Sequence, residues 1–523
     1  MALTLIQAGT SLQFVNDSGV VSAPLTLPTG VTLRTDLAPR FTVYGRYAIL
    51  VNTPSQPLII DATGVVRLLS PKAPRLAATL SAAAGGTLTG VYRVKYTFVT
   101  LDANGNLISE SDYSPISSQF TVGSQYLVAS NLDISPDQIT GRRIYRTTSN
   151  GATYFQWVDL DGNILTSVQD DLADAGLSIV GSQVLGTPPE LTLIAEFRDR
   201  LWGVGRIAID DLRYTEVGRI YAWPQDNVFP IPVVGSDNLG VTALVPRREA
   251  LGVGRQNQFC QLTGTDDSDF QIVILSKNLG VSSQESVAVY RDTAYFLWED
   301  GVYQWDSTGF ECISDGKVRS WFVTDATFNR SMFGQSFGFV DPIRLKYRLF
   351  MYAAGSTTDI RWIEYDLVEK TWWGPHRTNA FNPSCVFTVL DADNVPRPTI
   401  GGTDKNLYRE QDTCTDGTAT PIAFDVITKR YSMEEPDLDK YWGQLSVMGK
   451  SQAAGSLNIA LDVGELNANS PGDPIWDMTQ SRQRLQRVGT GKHVEMELTN
   501  AQVGQDVQIY GMEINPVNIL GRR

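Results

Sequence analysis

The chain has two histidines in 523 residues, His376 and His493. A Ser-His-Asp or Cys-His arrangement needs a histidine held beside its nucleophile, and a zinc site usually needs two or more such ligands. The two histidines lie far apart and in different expected domains. Histidine-based catalysis is therefore not expected, and both read as surface or interface residues. Cysteine is as scarce: Cys260, Cys312, Cys385 and Cys414 are widely spaced and form no CxxC pair. That argues against a disulfide framework or a zinc site, and the four read as free, mostly buried thiols. No run of eighteen apolar residues occurs, so no transmembrane helix is expected. Met1–Gln7 has neither the basic region nor the apolar run of a signal peptide, so the chain is expected to fold in the cytoplasm where it is made. Basic residues are outnumbered, 43 Lys and Arg against 57 Asp and Glu, for a net charge of −14. With no dense basic run to offset it, that charge excludes sequence-specific reading of nucleic acid.

What the chain does have is turns and short strands. Forty-five glycines and 25 prolines are spread along it, which favours many short strands over long helices. Arg198-Asp199-Arg200-Leu201-Trp202-Gly203-Val204-Gly205-Arg206 is echoed by Arg247-Arg248-Glu249-Ala250-Leu251-Gly252-Val253-Gly254-Arg255, and more loosely by Arg291–Trp298. In each copy a charged turn leads into an apolar strand, and a second strand follows: Asp211–Thr215, Gln258–Leu262 and Gly301–Trp305. The copies recur about every 45–50 residues, the period of a four-stranded propeller blade. A blade cannot bury both faces alone, and a ring of blades solves that. Further copies run through Phe41–Asp61, Arg344–Leu367 with Thr371-Trp372-Trp373-Gly374 sealing it against a neighbour, and Cys385–Leu390 with Gly401–Arg409. The total is about six blades. Leu3-Thr4-Leu5-Ile6 is expected to complete the last blade by strand exchange.

Two stretches interrupt this texture. Between about 73 and 189, Tyr92, Val94, Tyr96 and Phe98 alternate onto one face, and Ser149-Asn150-Gly151 reads as a hairpin turn between Gly141–Thr148 and Tyr154–Val158. This segment is similar to fibronectin type III domains in its Tyr-x-Tyr strand, in Glu110-Ser111-Asp112-Tyr113-Ser114-Pro115, and in Arg143-Ile144-Tyr145-Arg146-Thr147. From about 418 onward, alternating segments at Ile422–Tyr431, Lys440–Val447, Leu457–Val463 and Val507–Ile514 read as a second β-sandwich, jelly-roll-like. The expected organisation is all-β. It comprises N-terminal strands and a first blade (1–72), an inserted fibronectin III-like sandwich (73–189), the remaining propeller blades (190–417) and a C-terminal sandwich (418–523).

Candidate chemistry is thin. Glu299-Asp300, flanked by Trp298 and Trp305, could supply the two acids of a glycosidase, but adjacent acids in a β-turn are routinely solvated and blade tryptophans usually pack. Asp102–Asn106 and Asp159–Asn163 resemble halves of a calcium loop, yet neither has the twelfth-position glutamate or the flanking helices, so both read as hairpin turns. Thr265–Asp269 reads as a solvated loop. Gly203-Val204-Gly205 and Gly252-Val253-Gly254 sit inside strands rather than opening helices, so they read as packing glycines, not a phosphate cradle. No catalytic, cofactor or metal residues are expected. The recurring arginines Arg198, Arg247, Arg291 and Arg344 read as structural.

Taken together, Arg198–Gly205 with Leu212–Thr215, the Ala222-Trp223-Pro224 turn, Gly301–Trp305, and Thr428-Lys429-Arg430 ahead of Lys440-Tyr441-Trp442 carry a resemblance across most of the chain. The chain resembles the tail nozzle proteins of short-tailed, podovirus-like bacteriophages, also called tail tubular protein B or DNA-stabilisation proteins. The resemblance implies a structural virion protein without enzymatic activity, assembled in the host cytoplasm into a homohexameric ring below the portal and adaptor. It implies partners in the tail adaptor and in fibres or spikes, and packaged DNA that is retained and then conducted without sequence-specific binding. An acidic conduit would suit that task, because each phosphate gripped by Lys or Arg would retard passage. The competing readings are a propeller-based glycan-binding adhesion module and a carbohydrate-active enzyme.

Overall fold

A computed structural model describes residues 4–177, 184–233, 240–324, 326–378, 381–410, 415–416, 420–421, 423–433, 435–464, 474–502 and 505–521. The chain divides into two compact units, residues 1–375 with 385–399, and residues 376–384 with 400–523. Cys414 and Leu3 lie outside the described residues.

The first unit is a β-propeller carrying an inserted sandwich. Five four-stranded sheets run in sequence order, each an antiparallel meander. They are Arg40–Tyr44 through Val66–Leu68, Leu191–Phe197 through Val228–Pro230, Val241–Pro246 through Gln271–Ser276, Ala288–Tyr290 through Gly309–Cys312, and Phe337–Asp341 through Trp372–His376. A three-stranded sheet, Pro383–Leu390, Pro396–Gly402 and Leu407–Arg409, stands where the sixth blade is expected, and the division between the two units runs through it. The repeated "charged turn, apolar strand, strand" is the second and third strand of each blade. The first strand of each blade lies just ahead of the repeated arginine.

Those turns are built for tight hairpins. Arg198 and Asp199 have φ of 56° and 54°, and Arg291 and Asp292 have φ of 47° and 67°. Two-residue hairpin loops of the primed type need this left-handed backbone, because its twist matches that of the flanking strands. Between blades, apolar side chains interdigitate. Trp202 stacks on Tyr214 at 4.7 Å and meets Phe270 of the next blade edge-on at 5.1 Å. Phe259 meets Trp305 of the fourth blade at 4.9 Å, and Tyr295 stacks on Tyr347 of the fifth at 5.6 Å. Trp372 closes the fourth and fifth blades by donating its indole N–H to the Ile313 carbonyl at 3.0 Å, whereas Trp373 is exposed.

The N-terminal strand does not complete the last blade. Thr4–Ala8 pairs with Ser11–Val15 in its own hairpin, which lays Leu5, Leu12 and Phe14 over Leu50, Leu58 and Ile60 of the first blade. That blade's second face is covered locally, so the strand is already used.

The inserted sandwich packs Thr79–Tyr92, Phe120–Ser130 and Ser167–Asp170 against a sheet ordered Tyr154–Asp161, Gly141–Thr147, Val94–Leu101, Leu107–Glu110. The alternation Tyr92, Val94, Tyr96 does bury on one core, but the chain changes sheet at Arg93, so Tyr92 and Val94 belong to different sheets. The edge of Val94–Phe98 is closed by serines three apart. The N–H groups of Ser111, Ser114 and Ser117 donate to the carbonyls of Phe98, Tyr96 and Val94. Their hydroxyls accept the N–H groups of the same three residues at 2.9, 3.0 and 2.8 Å. Every backbone polar group on that buried edge finds a partner. Leu107 and Tyr113 of the sandwich pack on Leu185, Tyr221 and Ala222, which ties it to the second blade.

The C-terminal sandwich has a four-stranded sheet, Phe424–Ile427, Glu495–Asn500, Ser456–Asp462 and Ile475–Asp477. Its partner has three strands, Arg482–Gly491, Asp439–Gly449 and Ile509–Gly521. A jelly roll has eight strands; the described residues form seven. Trp442, Trp476 and Val488 lie at its core. Lys440 is buried, with its ammonium donating to the carbonyls of Leu438 at 2.9 Å and Lys492 at 3.2 Å and also to Glu435.

Candidate functional site

The two ends of the blades differ in chemistry. At one end, the turns joining first and second strands reach sideways to the next blade. Tyr44 donates to the Asp199 carbonyl at 3.4 Å, Arg198 pairs with Glu249 at 2.9 Å, and Arg247 pairs with Asp292 at 2.9 Å. Each contact runs from one blade to its successor. Arg247 is the most enclosed of these side chains and lies 4.5 Å above the Trp305 ring, where a desolvated guanidinium gains from the ring's negative face. Burial pushes the Asp292 carboxyl up, but the Arg248 N–H and the Arg247 guanidinium outweigh it and hold the group below its ordinary value. The repeated arginines at 198 and 247 are therefore tangential staples. Arg291 lies over its own neighbour, Tyr290, at 5.2 Å. Glycine packing in the repeat has the same structural origin. A Cβ on Gly252 would meet Phe259 at 2.6 Å and Trp305 at 2.7 Å, and one on Gly203 would meet Leu191 at 2.6 Å.

At the other end, the turns joining second and third strands meet the inter-blade connectors. Here Glu299 and Asp300 part company. Asp300 pairs with Arg319 at 2.6 Å and accepts the Tyr303 hydroxyl at 2.9 Å. Glu299 accepts the Gln256 side-chain amide at 3.3 Å and lines a cleft of about 470 Å³, with Thr242, Gln256, Ser282, Arg330 and Phe333 among its walls. Asp300 does not line that cleft. Trp298 donates its indole N–H to the Gln256 carbonyl at 2.8 Å, and Trp305 is buried between blades. Neither tryptophan forms a sugar-stacking platform, so the pair of acids is not arranged as a glycosidase needs.

The remaining candidates have structural employment. Asp102 accepts the N–H groups of Asn104 and Asn106 at 2.8 and 2.9 Å and pairs with Arg46. The Asn106 side chain and backbone, with Arg46 and Asn104, hold its carboxyl well below the usual range. Asp159 takes a bidentate grip from Arg143, both contacts at 2.9 Å, and Asn163 bonds Ser135. In Thr265–Asp269, Asp269 closes the turn onto Thr265 and Asp266, and Asp267 pairs with Arg200 of the second blade at 2.9 Å. Among the described residues no three His, Cys, Asp or Glu side chains converge as a metal site. His376 ends the fifth blade's last strand, and His493 lies 3.9 Å from Asp462. Cys260 is buried, Cys312 half-buried and Cys385 exposed, all unbridged.

A polar cluster absent from the sequence reading lies in the inserted sandwich. Buried Glu110 accepts the hydroxyls of Thr97 and Tyr145 at 2.6 and 2.7 Å. Beside it the Lys95 ammonium sits 3.3 Å from the centroid of Tyr113 and 4.7 Å from that of Tyr154. Burial pulls the Lys95 amine down to about 8, against the attraction of Asp112 and Glu110. The tyrosines come from two strands and a connector, so no local motif announces them.

No family model matches the chain, and no curated protein matches it. Among solved structures, an exo-β-1,3-galactanase from Phanerochaete chrysosporium with β-1,3-galactotriose aligns at a TM-score of 0.20 and 8% identity, over 96% of this chain and 100% of that one. A likeness at that level carries no weight for fold or activity.

Proposed function

We propose that the chain is a structural protein of the tail of a short-tailed bacteriophage, the nozzle through which the genome is retained and then released. The observation that carries this reading is the order of its parts. A propeller is interrupted after its first blade by a β-sandwich and followed by a second β-sandwich, the architecture of the tail nozzle proteins that the sequence resembles. The employment of its polar groups supports a role without catalysis. Asp102, Asp159, Asp292 and Asp300 are each held by arginine, in contacts that brace turns and blades. Assembly follows as a closed ring of about six copies through heterologous contacts, attached to the adaptor and portal and carrying fibres or spikes. DNA passes through it without being read.

Immunogold labelling of purified tailed particles tests this directly, with antibody raised against the C-terminal unit. Gold at the distal end of the tail is the expected result. Particles that contain the chain but label on the head, or tails in which mass spectrometry finds no trace of it, would refute the assignment.

A further inference from the structure

We infer that the outer strand of the third blade, Gln271–Ser276, is a pairing edge between two copies of this chain, joined antiparallel about a two-fold axis at Val273. This does not rest on the tail assignment. A ring closed by heterologous contacts has no two-fold axis within it, so the contact belongs to chains outside the ring. The last strand of each four-stranded blade pairs along one edge only. Such an edge invites another strand unless it is short, charged or broken by proline. Four of the five blades carry such a device. Val66–Leu68 is three residues long and includes Arg67, and Val228–Pro230 is as short and ends in proline. Gly309–Cys312 carries Glu311, and Trp372–His376 contains Gly374-Pro375. Gln271–Ser276 has six residues with no charge, no proline and no glycine. One bulge, at Leu275, interrupts its pairing with Phe259–Thr263 and leaves Gln271 to Ile274 regular.

The faces and ends of the strand select the occupant. Ile272 and Ile274 turn onto the core shared with the second blade. Gln271, Val273 and Leu275 are exposed, Val273 by 52%. The two ends carry opposite charge: exposed Asp269 precedes the strand and exposed Lys277 follows it. Because side chains alternate between faces, a two-fold pair of strands must centre on one residue rather than between two. With Val273 opposite Val273, Gln271 faces Leu275, Ile272 faces Ile274, and Asp269 faces Lys277 of the other copy. Opposite charges across a strand pair are favourable, and the symmetry makes this contact twice. Centring on Ile272 sets Asp269 against Leu275, and centring on Ile274 sets it against Leu279, so neither neighbouring register joins the charges. Parallel pairing in register sets acid beside acid. The strand is therefore complementary to its own antiparallel copy.

The test places single cysteines on this strand of the full-length protein in a Cys385→Ser background, with copper–phenanthroline as oxidant and the background protein as blank. Opposed residues of an antiparallel pair have Cα atoms about 4.5–5.5 Å apart, within disulfide reach. Val273→Cys is expected to run as a linked dimer on a non-reducing gel. Gln271→Cys, whose two copies would stand four residues or about 14 Å apart, should stay unlinked. In sedimentation across a dilution series, the wild type is expected to show a two-chain species. Val273→Lys sets like charges opposite each other and should weaken that species about tenfold or more. Both substituted positions are exposed, and each variant is compared at the wild-type melting temperature. Linking by Gln271→Cys as readily as by Val273→Cys, no linking by Val273→Cys, no two-chain species, or Val273→Lys that pairs as well as wild type would overturn the proposal. A ring of six copies does not need this edge and should survive Val273→Lys, so the two readings fail separately.

Discussion

Gly252→Ala and Gly205→Ala make a matched pair, the same substitution at two glycines of one repeated motif. At Gly252 the new methyl would sit 2.6 Å from Phe259 and 2.7 Å from Trp305, where carbon–carbon contact wants about 3.5–4.0 Å. The rings cannot retreat. Both are buried, and Phe259 is hemmed in by Phe296 at 5.7 Å and Phe310 at 5.0 Å. Overpacking of this kind costs about 1–3 kcal/mol. At Gly205 the nearest atom is 3.7 Å away, ordinary contact, so the variant should be neutral or gain up to about 1 kcal/mol from a stiffer unfolded chain. A cooperative unit of about 150–250 residues, several blades packed together, shifts by about 2–4 °C per kcal/mol. Gly252→Ala should therefore melt about 2–12 °C below wild type, and Gly205→Ala at or slightly above it. Scanning calorimetry at one fixed scan rate measures both. Equal shifts for the two variants, or an unshifted Gly252→Ala, would refute the claim that Gly252 lets Phe259 of its own blade and Trp305 of the next approach the strand.

The tangential staple gives a double-mutant cycle: Arg247→Met and Asp292→Asn should each destabilise, with a coupling of about 1–2 kcal/mol, and additive effects would show the contact to be idle. Because the Asp292 carboxyl is depressed in the fold, its contribution is complete above about pH 5 and is lost as pH falls through the depressed value. The Asn variant should flatten the acid limb of a stability–pH curve. Ser114→Ala removes the acceptor for the buried Tyr96 N–H and should cost about 1–3 kcal/mol in urea titration; a Thr replacement should recover most of it. Lys95 gives a slope of the same sign at alkaline pH for a different reason, because burial disfavours its charged form. Its folded amine, at about 8, binds fewer protons than the unfolded one between pH 8 and 10.5, so stability should rise with pH across that window by about 1–3 kcal/mol relative to Lys95→Met. A Met variant with the same slope would exclude Lys95 as the cause.

What could be read from residue order was what local chemistry dictates. Arg198-Asp199 and Arg291-Asp292 announce tight turns, and the strand that follows each is apolar enough to be seen. The strands before them, such as Leu191–Phe197, are shorter on polar punctuation and buried along much of their length, so nothing in the local pattern separates them from a connector. Tyr92, Val94 and Tyr96 reveal a shared face because side-chain direction alternates, but direction is blind to the change of sheet at Arg93. The serines at 111, 114 and 117 look like loop residues because their spacing of three matches neither strand nor helix. Their meaning lies in a strand edge that sequence does not place beside them. The cleft is harder still: Thr242, Gln256, Glu299 and Arg330 share nothing until the third and fourth blades and the connector after the fourth stand side by side. Glu299 could be singled out as an acid, but not separated from Asp300, since adjacent residues on a turn take different partners for reasons outside that turn.

The most direct test of the central claim is the mass of the purified full-length protein by light scattering across a concentration series, with electron micrographs of the same sample. The tail-nozzle account expects a ring of about six copies with a central hole. A species that stays monomeric at every concentration, alone and in the presence of tail components from the same particles, would contradict it.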